Sequence, residues 1–101
     1  MKVKIPFMDR FRKTMLDGTK TMTSRTKIYG GKGDTFDVFG ATFQIESVDL
    51  QTFLVVQLQW KAEGCESKED FLEIWRKIHP RKKFECHDLL FVHRFRKMEG
   101  V

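Results

Sequence analysis

Apolar and polar residues alternate along this chain with two different periods, and the changes of period mark its elements. Val3 and Ile5 alternate with Lys2 and Lys4, which predicts a short strand with one buried face over residues 1–5. Pro6 breaks that pattern. Phe7, Phe11 and Met15 then recur every fourth residue, with Met8 and Leu16 beside them and Arg10, Arg12 and Lys13 opposite. That predicts an amphipathic helix over 7–17, ended by Gly18. Met22 between Thr21 and Thr23 begins a short strand, and Gly30 to Asp34 is turn chemistry. Phe36 and Val38 alternate with Thr35 and Asp37 in a second strand. After Gly40, Ala41, Phe43 and Ile45 share one face of a third, which runs to Leu50.

The second half is less regular. Residues 52–56 have strand composition, but Val55, Leu58 and Ala62 have helical spacing. The expectation is a strand end passing into a short helix that stops at Gly64. Ser67 with Asp70 forms a capping box ahead of a helix that buries Phe71, Leu72, Ile74, Trp75 and Ile78 and ends at His79-Pro80. Residues 86–96 read as a last strand. Leu89, Phe91, His93 and Phe95 lie on one face and Leu90 and Val92 on the other, so its middle is buried on both sides. The order predicts one small α+β domain spanning residues 1–101, a mostly antiparallel, partly closed barrel with two or three flanking helices.

Composition adds a charge pattern. The net charge is +5, and residues 1–32 hold nine Lys/Arg against two acids. Residues 33–75 reverse this with two against nine, and residues 76–97 restore it with eight against two. If the two ends meet, they make a positive face that attracts polyanions; otherwise the charges form an ordinary solvated surface. Cys65 and Cys86 make neither a disulfide framework nor a zinc spacing, and the three histidines form no ligand pair at helical spacing. No metal and no cofactor is expected. Apolar runs of at most four residues cannot span a bilayer, so a cytoplasmic protein without a membrane partner is expected.

The densest polar chemistry lies in Gly18-Thr-Lys-Thr-Met-Thr-Ser-Arg25, with two cations and four hydroxyls in eight residues. If 21–25 is extended, Thr21, Thr23 and Arg25 point to one side. Arg25 suits a phosphate or carboxylate, because its planar fork makes paired hydrogen bonds. The hydroxyls suit a base edge or an acyl group. A plain polar loop has the same composition. Tyr29 and Phe39, beside turns, are candidates to line a cleft. Trp60 and Trp75 could stack on a base, although Trp75 sits on the apolar face of its helix and reads first as core.

The run Gly18-x-Lys20-Thr21-x-Thr23-x-Arg25, followed by Gly33-Asp34, resembles the ASCH family. Ala62-Glu63-Gly64, Ser67, Phe71, Ile78-His79-Pro80 and Phe91 to Phe95 resemble later segments of that family, so the resemblance covers nearly the whole chain. It implies a PUA-like barrel whose cleft floor lies near the Lys-Thr stretch, and a ligand that is RNA, a nucleoside or a nucleotide. A small bacterial branch of the family hydrolyses the acetyl amide of acetylated cytidine with a Lys, Thr and Glu triad. By resemblance these roles fall on Lys20, Thr23 and Glu63; Thr21 and Arg25, from the polar run, and Tyr29, from its place beside a turn, are the ligand-binding candidates. The chain departs from the family at Ser24, where relatives often carry an apolar residue, and in an unusually apolar 52–61.

Three functions are thus open: an RNA- or nucleoside-binding domain, an amidohydrolase acting on an acylated nucleoside, and a non-catalytic adaptor. The sequence is silent on oligomeric state.

Overall fold

The computed structural model describes residues 1–99. Four antiparallel strands, β1 (Met22–Arg25), β2 (Thr35–Val38), β3 (Ala41–Thr52) and β4 (Leu89–Lys97), form one sheet in the order β1-β4-β3-β2. The sheet curls into half a barrel, flanked by helices α1 (Arg12–Leu16), α2 (Phe53–Leu58) and α3 (Lys68–Ile78). β4 is central and pairs on both sides, with Met22 opposite Arg94 and Leu50 opposite Phe91. The two basic ends of the chain therefore do meet at the β1–β4 seam. A bulge between Ile45 and Ser47 bends β3.

Aromatic packing fills the half-barrel. The rings of Phe36 and Phe43 stack at 5.4 Å, and Phe95 meets both edge-on at 5.4 and 5.6 Å. Phe53, Phe71, Trp75 and Phe84 form a second cluster, with ring centroids 5.1 to 6.4 Å apart. Val92 and His93, adjacent on β4, are both 0% exposed, as expected for a strand covered on both faces.

Several local expectations need correction. Residues 1–5 make only an isolated parallel bridge, Lys2 to Thr35, with Val3 N–H donating to Thr35 O at 2.8 Å. Pro6 lacks an N–H and ends the segment there. The first helix is shorter than its periodicity suggests. Met8 is extended (ψ 146), a 3-10 turn covers Asp9–Phe11, and α1 starts at Arg12. Phe7 therefore leaves the helix and stacks on Phe36 at 5.7 Å.

Residues 53–58 are helical throughout, because the Thr52 hydroxyl caps α2 by accepting from Val55 N at 3.3 Å. The face is also the opposite one: Phe53, Val56 and Gln57 are buried, whereas Val55 and Leu58 are 40% and 65% exposed. The helix stops at Leu58, and 59–64 is a series of turns. On α3, Ile78 is exposed. The last strand starts at Leu89 rather than Cys86.

Other features hold. Phe39 (φ 54) and Gly40 (φ 77) form the two-residue turn between β2 and β3, and a left-handed pair there matches the twist of the strands. Ser67 Oγ accepts from Asp70 N at 3.0 Å, the N-cap half of the expected capping box, while the reciprocal half goes to Glu66 N rather than Ser67 N. The Asp70 carboxylate reaches Glu66 N at 2.9 Å and takes both Arg10 guanidinium nitrogens at 3.2 and 2.7 Å. No helix is long and apolar enough to cross a membrane among the described residues.

His93 Nε2 accepts from Tyr29 N–H at 3.0 Å, and Nδ1 lies 3.2 Å from Phe91 O, so Nδ1 carries the proton of a neutral ring. Burial pushes its pKa below the ordinary value of 6.5. The unfolded chain thus binds the proton more readily. His93's contribution to stability is complete above pH 6.5 and is lost as pH falls through the folded-state value. Denaturant unfolding as a function of pH should show this acid-side loss, and His93→Leu should flatten it. An unchanged acid limb in the variant would assign the loss to other groups.

Candidate functional site

Lys20 is 3% exposed and Glu63 5% exposed, although they lie 43 residues apart in sequence. Backbone bonds bring them together. Ala62 O accepts from both Thr21 N (2.8 Å) and Met22 N (3.2 Å), which fastens residues 62–64 onto the start of β1. Gly64 permits the close approach. Its φ is 86, and a Cβ there would lie 2.9 Å from Lys20 carbons and 3.0 Å from Thr14 Oγ1. Any larger residue would push the Glu63 segment away from Lys20.

Lys20 Nζ donates to Met22 O at 2.9 Å and to Glu63 O at 2.5 Å, and lies 3.7 Å from Glu63 Oε1. The Phe11 ring covers it, with the ring centroid 4.4 Å away. Burial pushes the Lys20 pKa below the ordinary lysine value, while the Glu63 charge opposes that shift. The other carboxylate oxygen, Glu63 Oε2, accepts from Ser24 Oγ at 2.6 Å. Lys20, Glu63 and Ser24 are thus one buried hydrogen-bonded cluster.

This cluster lines a cavity of about 370 Å³, together with Thr23, Arg25, Tyr29 and Cys65. Phe7, Phe11, Phe71 and Trp75 supply aromatic wall. Arg25 Nε donates to Thr23 Oγ1 at 2.9 Å and its Nη2 to Pro6 O at 2.6 Å. The guanidinium sits between the Phe7 and Tyr29 rings, 5.1 and 5.2 Å from their centroids. Cys65 is a spectator: burial pushes its thiol up to about 11, so it stays protonated at neutral pH.

Of the residues singled out from the sequence, Lys20, Thr23, Arg25, Tyr29 and Glu63 all line this cavity. Lys20 and Glu63 touch; the Thr23 hydroxyl is held by Arg25 instead. Thr21 precedes β1, is exposed, and lines a different hollow. Asp34 stays outside the cavity and pins its own turn by accepting from Gly31 N at 2.8 Å. Ser24 is the residue that strand alternation missed. Simple alternation sends its side chain away from Thr23, but β1 is an edge strand and Glu63 wraps around to meet it. Among the described residues, no group of three His, Cys, Asp or Glu side chains is placed to hold a metal.

Breaking one partner of a buried pair leaves the other uncompensated. Lys20→Met and Glu63→Gln should each lower stability, by up to ~3–5 kcal/mol for the lysine change. The double variant should lose less than the sum, as measured by urea unfolding. Additive losses would show that the two side chains are not energetically coupled.

No family model matches the sequence, and no curated protein matches it. Solved structures do match. An ASCH domain from Lactobacillus crispatus superposes with a TM-score of 0.68 at 16% identity, over 95% of this chain and 79% of that one. The crystal structure of a hypothetical protein gives 0.70 at 13% identity, over 97% and 100%. A Pyrococcus furiosus protein solved by NMR gives 0.66 at 13% identity, over 99% and 100%. At these identities the likeness speaks for architecture, and with the half-barrel and its flanking helices it shows that this chain has the same small α+β fold as the solved ASCH domain.

Proposed function

We propose that this chain is a single ASCH domain that binds a nucleobase, as a nucleoside or as one unit of RNA, in the cavity above Lys20, Glu63 and Ser24. The observation that carries the reading is the buried, charge-balanced cluster lining an aromatic-walled cavity of about 370 Å³. That volume is within the usual range for small-ligand sites. Phe7, Phe11, Phe71, Trp75 and Tyr29 give flat apolar surface for a ring, and base–aromatic stacking is worth about 1–3 kcal/mol. The cluster disfavours an anion. Lys20 already gives two of its three ammonium hydrogens to Met22 O and Glu63 O, and the Glu63 carboxylate repels negative charge. A neutral edge with mixed donors and acceptors satisfies the cluster better. Arg25, less buried than Lys20 and Glu63, carries the positive charge that a sugar or phosphate would meet.

Nucleosides titrated into the protein should release or absorb heat and raise its melting temperature. Glu63→Gln should weaken binding by roughly tenfold or more, the scale of one lost charge-assisted hydrogen bond. Failure of every common and acylated nucleoside to bind at millimolar concentration would reject the reading.

A second reading, amide hydrolysis on an acylated nucleoside, draws support from one observation: a hydroxyl bonded to a buried carboxylate beside a lysine of lowered pKa. In such a reaction the hydroxyl attacks the acyl carbon as its proton passes to Glu63. The carbon–nitrogen bond breaks, and the amine leaves with a proton returned to it. Water then hydrolyses the acyl ester. Geometry favours Ser24 as the attacking group, since it donates to Glu63; family resemblance favours Thr23. If the domain hydrolyses acetylcytidine, Ser24→Ala should lower kcat by about 10²-fold or more while Thr23→Ala keeps most activity. The reverse ranking would move the role to Thr23, and an inactive wild type would remove this reading.

A further inference from the structure

Lys20 lines two hollows. The second, of about 270 Å³, is bordered by Gly18, Thr21, Glu46, Arg94, Arg96 and Lys97. It opens at the seam where Thr21 O accepts from Phe95 N at 3.0 Å, beside the register pair Met22 and Arg94. Besides Lys20, three cations (Arg94, Arg96 and Lys97) converge there, and neutral amides hold two of them. Arg94 Nη2 donates to Gln59 Oε1 at 2.8 Å, and Arg96 Nη2 to Gln44 Oε1 at 3.2 Å. Among the described residues neither arginine nor Lys97 forms a salt bridge, whereas Lys2, Arg10 and Lys77 are paired with Asp37, Asp70 and Glu73. A glutamine amide orients a guanidinium without cancelling its charge. Arg96 and Lys97 are exposed, so that charge is available to a ligand, and the exposed Thr21 hydroxyl adds a donor.

We propose that this hollow is a phosphate site for the backbone of a single-stranded RNA whose base enters the neighbouring cavity. It rests on the base-binding reading above and adds that the ligand is a strand rather than a free nucleoside. The two sites are complementary in chemistry. The Lys20–Glu63 pair in the cavity wall is charge-balanced and suits a neutral edge, while the other hollow is positively charged and suits phosphodiesters. Glu46, on the β3 bulge, is the acid in this rim and opposes an anion, so its removal is an informative change.

The experiment measures binding of a mixed-sequence single-stranded RNA octamer against salt concentration, alongside titration with free nucleosides. The Arg96→Gln/Lys97→Gln variant should bind the octamer at least about tenfold more weakly at low salt, with its log–log salt slope reduced by about 0.7 for each contact removed. Glu46→Gln should tighten octamer binding about threefold. Nucleoside binding should not change in either variant. Octamer binding that ignores both variants, or no octamer binding at low salt, overturns the phosphate site and leaves the nucleobase cavity standing. Octamer binding that responds to these variants but not to Glu63→Gln keeps the phosphate site and counts against the base-binding cavity.

Discussion

An ammonium group removed from water must find oxygens, and much of the domain's interior is arranged to supply them to Lys20. Two backbone carbonyls and one carboxylate surround its nitrogen, and a phenyl ring closes the remaining side. Desolvating such a charge is costly, and a buried ion pair is not by itself a strong source of stability. An apolar pair of the same volume would pack at less cost. Such a pair in a cavity wall, with a hydroxyl bonded to its outer oxygen, is better understood as a site held ready for a polar ligand.

The rest of the fold makes that arrangement rigid. β4 is central and buried on both faces, so β1 is fixed along its length and Lys20 just before it. The turns after α2 deliver Glu63, and Gly64, with no Cβ, leaves room for the Lys20 and Thr14 side chains against it. The stacked Phe36, Phe43 and Phe95 hold the sheet's curvature from inside. Phe7 and Phe11 serve the core and the cavity wall together, so packing and ligand recognition share side chains. Because β1 is an edge strand, Lys20 and the residues after it can border one hollow on each side, and those hollows differ in electrostatic character.

Local patterning carried much of the architecture. Period-two alternation located β2, β3 and β4, and Gly18, Gly40 and the Ser67 cap fell where chain direction changes. It failed where tertiary contacts outrank local preference. Residues 52–56 look like a strand, since β-branched and aromatic residues fit a pleated surface, yet the Thr52 hydroxyl and the burial of Phe53 and Val56 make them helical. Phe7 has helical spacing from Phe11, yet Pro6 and an extended Met8 hold it outside the helix.

By itself, then, the sequence determined the element types, a mostly antiparallel α+β domain, and a polar stretch from Lys20 to Arg25 with chemistry in it. The reason is that strand and helix periods and glycine caps depend on near neighbours in the chain. Only the tertiary structure decided that Lys20 meets the Glu63 carboxylate, that Ser24 rather than Thr23 bonds to it, and that Thr21 faces a separate basic hollow. Those outcomes depend on how a turn forty residues downstream wraps around an edge strand, and no local period encodes that wrapping.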